Sequence, residues 1–334
     1  MILHLIPENV DGCAYHRIQI PMHNLKGFDL AQSTVLDGIS DEDLKKVSLV
    51  VMNRDGCISD IDKQISRLKR FKIPFVVDVD DFWELDKHHI IHKNYKEVVS
   101  YRIIKLLKAA TAVTTTHARL ARKIDRYNKN IVIAPNALDK AQSQWNEVYN
   151  DHPSPRFGWV GGIHHVEDIR LLLPSFDKIH MEDKIHLALG GFTPNEVYMV
   201  FNSWFSNGGK YGKYKCINSQ DVYNYGNIYN SLDVCLVPLL DTKFNNCKSN
   251  LKLLEAGFKG KAAIVSRCAP YTDDFTDKDV LFADDWYSAM NKLHENPNMT
   301  IDLRESLNEK VKDFEIKKVN IIREQLYTTI LHGK

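Results

Sequence analysis

Short β-branched apolar runs alternate with amphipathic stretches along the whole chain, the pattern of βαβ units wrapped around a parallel sheet. In the first half, Ile2–Ile6, Leu49–Asn53, Phe75–Val79, Ala112–Thr115 and Ile131–Ala134 predict strands. Between them Ile61–Arg70, Tyr95–Ala109 and His117–Tyr127 repeat apolar residues at three and four and predict helices. The alternation then pauses. Asn136–Pro155 is polar, has no clear period and ends in Pro153-Ser154-Pro155, which predicts a domain linker. A second series follows, with strands expected at Phe157–Val160, Ile185–Leu189, Tyr214–Ile217, Val234–Val237 and Ala262–Val265, and helices at Val166–Ile179, Asp221–Leu232 and Asn250–Lys259. Past Asp284 the chain reads as helices, the last of them, Lys317–Leu331, carrying the apolar stripe Val319, Ile322, Leu326 and Ile330. The pattern predicts two α/β domains in tandem, 1–150 and 151–316.

Length agrees, because 334 residues exceed one ordinary core and suit two domains of roughly 150 each, with a cleft between them. An apolar fraction of 44% and a charged fraction of 26% exclude a disordered, collagenous or coiled-coil chain. The start, Met1 to Pro7, is apolar for too few residues to make a signal peptide or a membrane span and reads as a strand. Six cysteines without a C-x-x-C pair point to reduced thiols and a cytoplasmic protein. Net charge is only +1, yet between Asp86 and Lys129 eleven basic residues face three acidic ones, so the first half has a basic face.

The densest chemistry lies between Val237 and Ser266. A strand ends at Pro238, a polar loop carries Asn245, Asn246, Lys248 and Ser249, and a helix opens at Asn250-Leu251-Lys252. The first N–H groups of a helix lack partners and carry partial positive charge, so this terminus suits a phosphate. Glu255, about a turn and a half on, is placed to accept hydrogen bonds from ribose hydroxyls. Gly158-Trp159-Val160-Gly161-Gly162-Ile163-His164-His165 carries a glycine turn after the strand at Phe157, where backbone can approach phosphates without a Cβ clash. Gly12, Tyr15 and Arg17 follow the first strand in an expected glycine-bearing loop.

These stretches together resemble the glycogen-synthase-like retaining glycosyltransferases of the GT-B fold. In that family a Glu-x7-Glu motif lies on this helix, and its second Glu, which binds the donor ribose, corresponds to Glu255 in Leu-Leu-Glu-Ala-Gly. Gly260-Lys261-Ala262-Ala263-Ile264-Val265-Ser266 is similar to the family's Gly-Lys-Pro-Val-Ile-Ala-Ser strand. The chain departs from the pattern at the first Glu, where Cys247 stands, and at Lys248-Ser249-Asn250 in place of Gly-Phe-Gly. The resemblance implies two Rossmann-like domains with parallel sheets facing a central cleft, a closing helix of about 317–334 that packs back on the first domain, and a UDP- or GDP-sugar held by the second. It implies transfer of a hexose or similar sugar to an acceptor hydroxyl, with retention and without a cofactor or metal. Donor contacts are expected from Gly161, Gly162, His164, Lys248, Ser249, Asn250, Leu251, Lys252 and Glu255. His117, Asp80 and Asn246 are the candidate catalytic residues.

Other constellations carry competing readings. Asp78-Val79-Asp80-Asp81 has the form of a metal-binding Asp-x-Asp, although carboxylates at the carboxyl edge of a parallel sheet point toward a ligand crevice in any case. His88, His89 and His92 suggest a metal site that no nearby Cys completes. His117 opens a helix, where capping and cleft-facing roles are balanced. Gly208-Gly209-Lys210-Tyr211-Gly212-Lys213 lacks the Ser/Thr of a P-loop and reads as a surface loop. In the basic segment, Arg119, Arg122, Lys123 and Arg126 are candidates for an anionic acceptor, whether lipid phosphate, polysaccharide or nucleic acid, against a merely solvated face. Val98, Val99, Ile103, Ile104 and Leu107 would give peripheral membrane contact if they formed an interfacial helix, or would pack on the sheet. No obligate protein partner is evident. Glycosylation of nucleic-acid bases and a degenerate, non-catalytic nucleotide-sugar binder are the rival functions.

Overall fold

A computed structural model describes residues 1–54, 57–87, 92–150 and 154–333, apart from the side chain at 94. The chain divides into two units. Unit one comprises Met1–Asp139, Asn246–Ser249 and Phe314–Lys334, and unit two Lys140–Asn245 and Asn250–Asp313. The polar stretch expected to be a linker therefore splits at Asp139, and most of it belongs to unit two. Its lack of period has a local cause. Trp145 is buried in a single tight turn, Ser143–Trp145, while Lys259 Nζ donates to the Gln144 carbonyl at 2.9 Å and Gly226 N–H to Gln144 Oε1 at 3.0 Å. Hydrogen bonding ties this segment down without helix or strand.

Unit one is a six-stranded parallel sheet of β1 (Ile2–Leu5), β2 (Leu30–Ser33), β3 (Leu49–Asn53), β4 (Phe75–Val79), β5 (Ala112–Thr115) and β6 (Ile131–Ile133), in the order β2-β1-β3-β4-β5-β6. Central strands such as Leu49-Val50-Val51-Met52 are apolar on both faces because helices cover both. β2, Leu-Ala-Gln-Ser, is a half-exposed edge strand and gave no apolar signal. Asp60 caps the helix Ile61–Arg70, accepting from Lys63 N–H at 3.0 Å. The helix Ile316–His332 joins this unit, and Leu326 and Tyr327 share a core cluster with Ile2, Ile18 and Val51. Its buried face is rotated from the expected stripe, running through Val319, Arg323, Leu326 and Tyr327.

Unit two is also a parallel sheet, of β7 (Arg156–Val160), β8 (His186–Phe192), β9 (Tyr214–Asn218), β10 (Val234–Val237), β11 (Ala262–Ser266) and β12 (Leu281–Ala283), in the order β12-β11-β10-β7-β8-β9. Numbered from its own first strand this is the dinucleotide-binding order 3-2-1-4-5-6. The expected helix Val166–Ile179 is two helices, Val166–Arg170 and Leu173–Glu182, because Pro174 sits in the first turn of the second. Asp221–Leu232 is not an α-helix. Its core is a tight three-residue-per-turn coil, Tyr225–Ser231, where Asp221 binds the N–H groups of Tyr223 and Asn224 and competes with helix formation. Among the described residues no helix is long and apolar enough to cross a membrane. None of the six cysteines, all described, forms a disulfide.

Candidate functional site

In an open α/β sheet a ligand crevice forms at the carboxyl ends of the strands, where the strand order reverses. In unit two that point lies between β7 and β10. The turn after β7 is Gly161-Gly162. A Cβ at Gly161 would lie 2.6 Å from the Trp159 ring and 2.7 Å from Lys252 Nζ, so only glycine fits. Gly191 at the end of β8 has φ +88°, and a Cβ there would press on the Gly161 carbonyl at 3.2 Å. The Tyr198 hydroxyl donates to that same carbonyl. Glycine at 162 answers no such demand, since nothing lies within 4 Å of its Cβ position. His164 is exposed on the same turn.

The helix Leu251–Phe258 follows the loop after β10. Lys252 donates to the Val160 carbonyl and holds its ammonium 5.4 Å from the centre of the Trp159 ring, placing a cation beside the glycine turn. Glu255 is 3% exposed and accepts from the Tyr229 hydroxyl at 2.6 Å. Burial pushes its carboxyl up to about 7, against the opposing pull of Lys252 and Tyr229. Asn250 precedes the helix without a capping bond, and its amide goes instead to Asp274 Oδ2 at 2.7 Å. Leu251, the first helical residue, is half-buried. Gly161, Gly162, His164, Asn250, Leu251, Lys252 and Glu255 thus lie together in unit two.

Asn246, Lys248 and Ser249, expected with them, belong to unit one. The reason is hydrogen bonding: Asn136 Nδ2 donates to Ser249 Oγ at 2.7 Å, and His117 Nε2 lies 3.0 Å from the Cys247 carbonyl. His117 therefore does not cap its helix, Ala118–Ile124, with its side chain. Cys247 is buried, and burial raises its thiol pKa against the pull of Lys123, Arg119 and Arg122.

The expected loop at Gly12, Tyr15 and Arg17 is helical instead. Asp11 accepts from Ala14 N–H at 2.7 Å and starts the helix at Gly12, and a wide turn, Tyr15–Gln19, continues it. Tyr15 and Arg17 are buried. The Arg17 guanidinium meets Asp78 in a two-pronged pair, both contacts 2.8 Å, and donates to Asn136 Oδ1 at 2.9 Å. Thr114 Oγ1 completes the cage 2.6 Å from Asp78 Oδ2. Asp80 pairs with Arg54 at 3.2 Å, and Arg54 also donates to the Tyr95 hydroxyl at 3.0 Å. Burial works to raise Asp80, but Arg54, the Cys13 thiol and Arg17 outweigh it and hold the carboxyl below its ordinary value. Asp78 and Asp80 are thus committed to arginines, and among the described residues no group of three or more His, Cys, Asp and Glu is placed to hold a metal. His88 and His89 lie outside the described residues, and His92 Nδ1 contacts the Leu85 carbonyl at 2.8 Å.

On the basic face, Arg122 and Arg126 are exposed, Arg119 is half-buried, and Lys123 lies 5.2 Å from the Phe82 ring centre. Of the apolar stripe in that segment, Ile103 and Leu107 are fully buried, Val99 and Ile104 are half-buried and Val98 is exposed. Sequence reasoning passed over Tyr198, Tyr229 and Arg54, each of which acts through a partner distant in the chain. It also passed over Asp168, and it gave Trp159 and His165 no role beyond membership of the glycine-turn stretch.

Two doubly wound units of this kind define the GT-B fold. Compared with solved structures, the chain matches the sucrose-phosphate synthase of Thermosynechococcus elongatus at TM-score 0.75 and 12% identity, over 100% of this chain and 99% of that one. Anabaena Alr3699/HepE in complex with UDP-glucose matches at 0.69 and 10%, over 98% and 99%. An alpha-glucosyltransferase (AGT) in complex with UDP matches at 0.65 and 9%, over 98% and 99%. No family model and no curated protein matches the chain.

Proposed function

We propose that the chain is a glycosyltransferase that moves a hexose or similar sugar from a UDP- or GDP-sugar to an acceptor hydroxyl, with retention and without a metal, in the cytoplasm. What carries this reading is the grouping in unit two of the glycine turn, Lys252 and buried Glu255 at the switch point of a nucleotide-binding strand order. Support also comes from GT-B neighbours holding UDP or UDP-glucose. In this reading Glu255 accepts from the donor ribose. Lys252 and the first N–H groups of its helix stabilise the charge that grows on the departing diphosphate. In unit one, Asp80 and His117 serve the acceptor, and Arg119, Arg122, Lys123 and Arg126 attract an anionic one. Asp241, Asn245 or Asn246 binds the sugar in place of the family's first Glu.

Titration calorimetry with UDP and GDP, followed by mass spectrometry of reactions with a panel of their sugars, tests this. Tight binding of one diphosphate and a glycosylated or hydrolysed product are expected; binding of neither sinks the proposal. A second reading, a binder that does not turn its donor over, is favoured by the buried Cys247 thiol where the resemblance places a sugar-contacting Glu. Binding without product or hydrolysis would select it.

A further inference from the structure

His165 follows the glycine turn and donates its N–H to the Gly162 carbonyl at 3.4 Å. Its Nδ1 lies 2.7 Å from Oδ2 of Asp168, a carboxylate 4% exposed. The other oxygen, Oδ1, accepts from the Leu240 N–H at 2.8 Å and from Asn245 Nδ2 at 3.0 Å. Leu240 and Asn245 stand in the loop after β10. One buried carboxylate therefore ties together the loops that leave the two strands flanking the switch point of unit two.

The carboxylate thus accepts from two amide N–H groups and lies within hydrogen-bond distance of the imidazole. The bond at Nδ1 also fixes the orientation of the ring and turns Nε2 away from Asp168. The ring stands edge-on to Trp159 with centroids 6.1 Å apart, and Lys252 lies against the same indole at 5.4 Å. Two basic side chains thus share one indole beside the Gly161-Gly162 turn, whose backbone is kept bare by the packing at Gly161.

We propose that His165, held by Asp168, is a ligand for the donor's diphosphate and completes with Lys252 a two-sided cradle at this turn, a proposal that rests on the donor assignment above. Asp168 is a positioning residue, acting through the ring it orients and through Leu240 and Asn245.

The test uses the full chain as wild type, His165→Gln, His165→Arg and Asp168→Asn. Calorimetry measures UDP and GDP, and ligand-observed NMR measures the corresponding nucleosides. His165→Gln should weaken the diphosphate that binds by about tenfold, the scale of one charged hydrogen bond, and leave its nucleoside unchanged. His165→Arg should restore most of the loss, and Asp168→Asn should fall between. Equal loss of diphosphate and nucleoside affinity in His165→Gln, with a lowered melting temperature, would make His165 structural and overturn the proposal. Wild-type affinity of His165→Gln for the diphosphate overturns it too, while the donor assignment stands. If the wild type itself binds neither diphosphate, the donor assignment fails and this inference with it.

Discussion

Burial sets the behaviour of Glu255. Its native carboxyl keeps a proton to about pH 7, whereas an unfolded glutamate releases it near the ordinary 4.5. Between those values the native state binds more protons, so stability falls as pH rises from about 4.5 to 7 and the penalty is complete above 7. Glu255→Gln removes the penalty. Its melting temperature relative to wild type should rise between pH 5 and pH 8, by the equivalent of about 3 kcal/mol at most. The same substitution should weaken nucleotide binding by about 1.5–3 kcal/mol in calorimetry. Substitution at Asp78 should lower stability instead of raising it. Asp78→Asn strands the buried Arg17 guanidinium and should cost about 3–5 kcal/mol in denaturant unfolding, and Arg17→Met added to it should recover part of the loss. Glu255 was legible because its neighbours in sequence, Leu-Leu and Ala-Gly, resemble a motif. Asp78 and Asp80 were legible only as carboxylates at a strand end, since the arginines that claim them come from positions 17 and 54.

Elements with continuous apolar runs were read to within one or two residues at most ends, because a strand covered on both faces writes its burial into every position. β3, β4, β5 and β10 match their expected bounds. β2 and the three-residue β12 were missed, having too little apolar sequence to stand out. The segment around Trp145 shows the other limit: it is held by Gln144, Lys259 and Gly226, contacts that leave no periodic trace. Trp145 should be a structural anchor. Trp145→Ala is expected to destabilise the protein by about 3–5 kcal/mol in chemical denaturation, the cost of emptying a buried indole site. A loss below 1 kcal/mol would mean the segment is only laid on the surface.

At the scale of the molecule, two tandem sheets were legible from alternation alone, but the division between them was not. Four residues, Asn246–Ser249, are claimed by unit one from within the sequence of unit two, through side chains at 117 and 136 that no local pattern ties to them. The basic face belongs to this scale as well, because exposed cations act through their summed field. Replacing Arg119, Arg122, Lys123 and Arg126 with Gln should raise the KM for an anionic acceptor, most at low salt, and leave nucleotide binding unchanged. Equal rates for variant and wild type at limiting acceptor, in both low and high salt, would leave the face merely solvated. The helix Ile316–His332 adds a last consequence, which concerns synthesis. Leu326 and Tyr327 pack with β1, so the apolar face at Ile2 and Ile18 waits for a segment that is made only after the whole of unit two. Unit two, ending at Asp313, emerges whole before unit one can close. A nascent chain halted after Asp313 would carry one finished unit and one with an open apolar face, the state in which a chaperone is most needed.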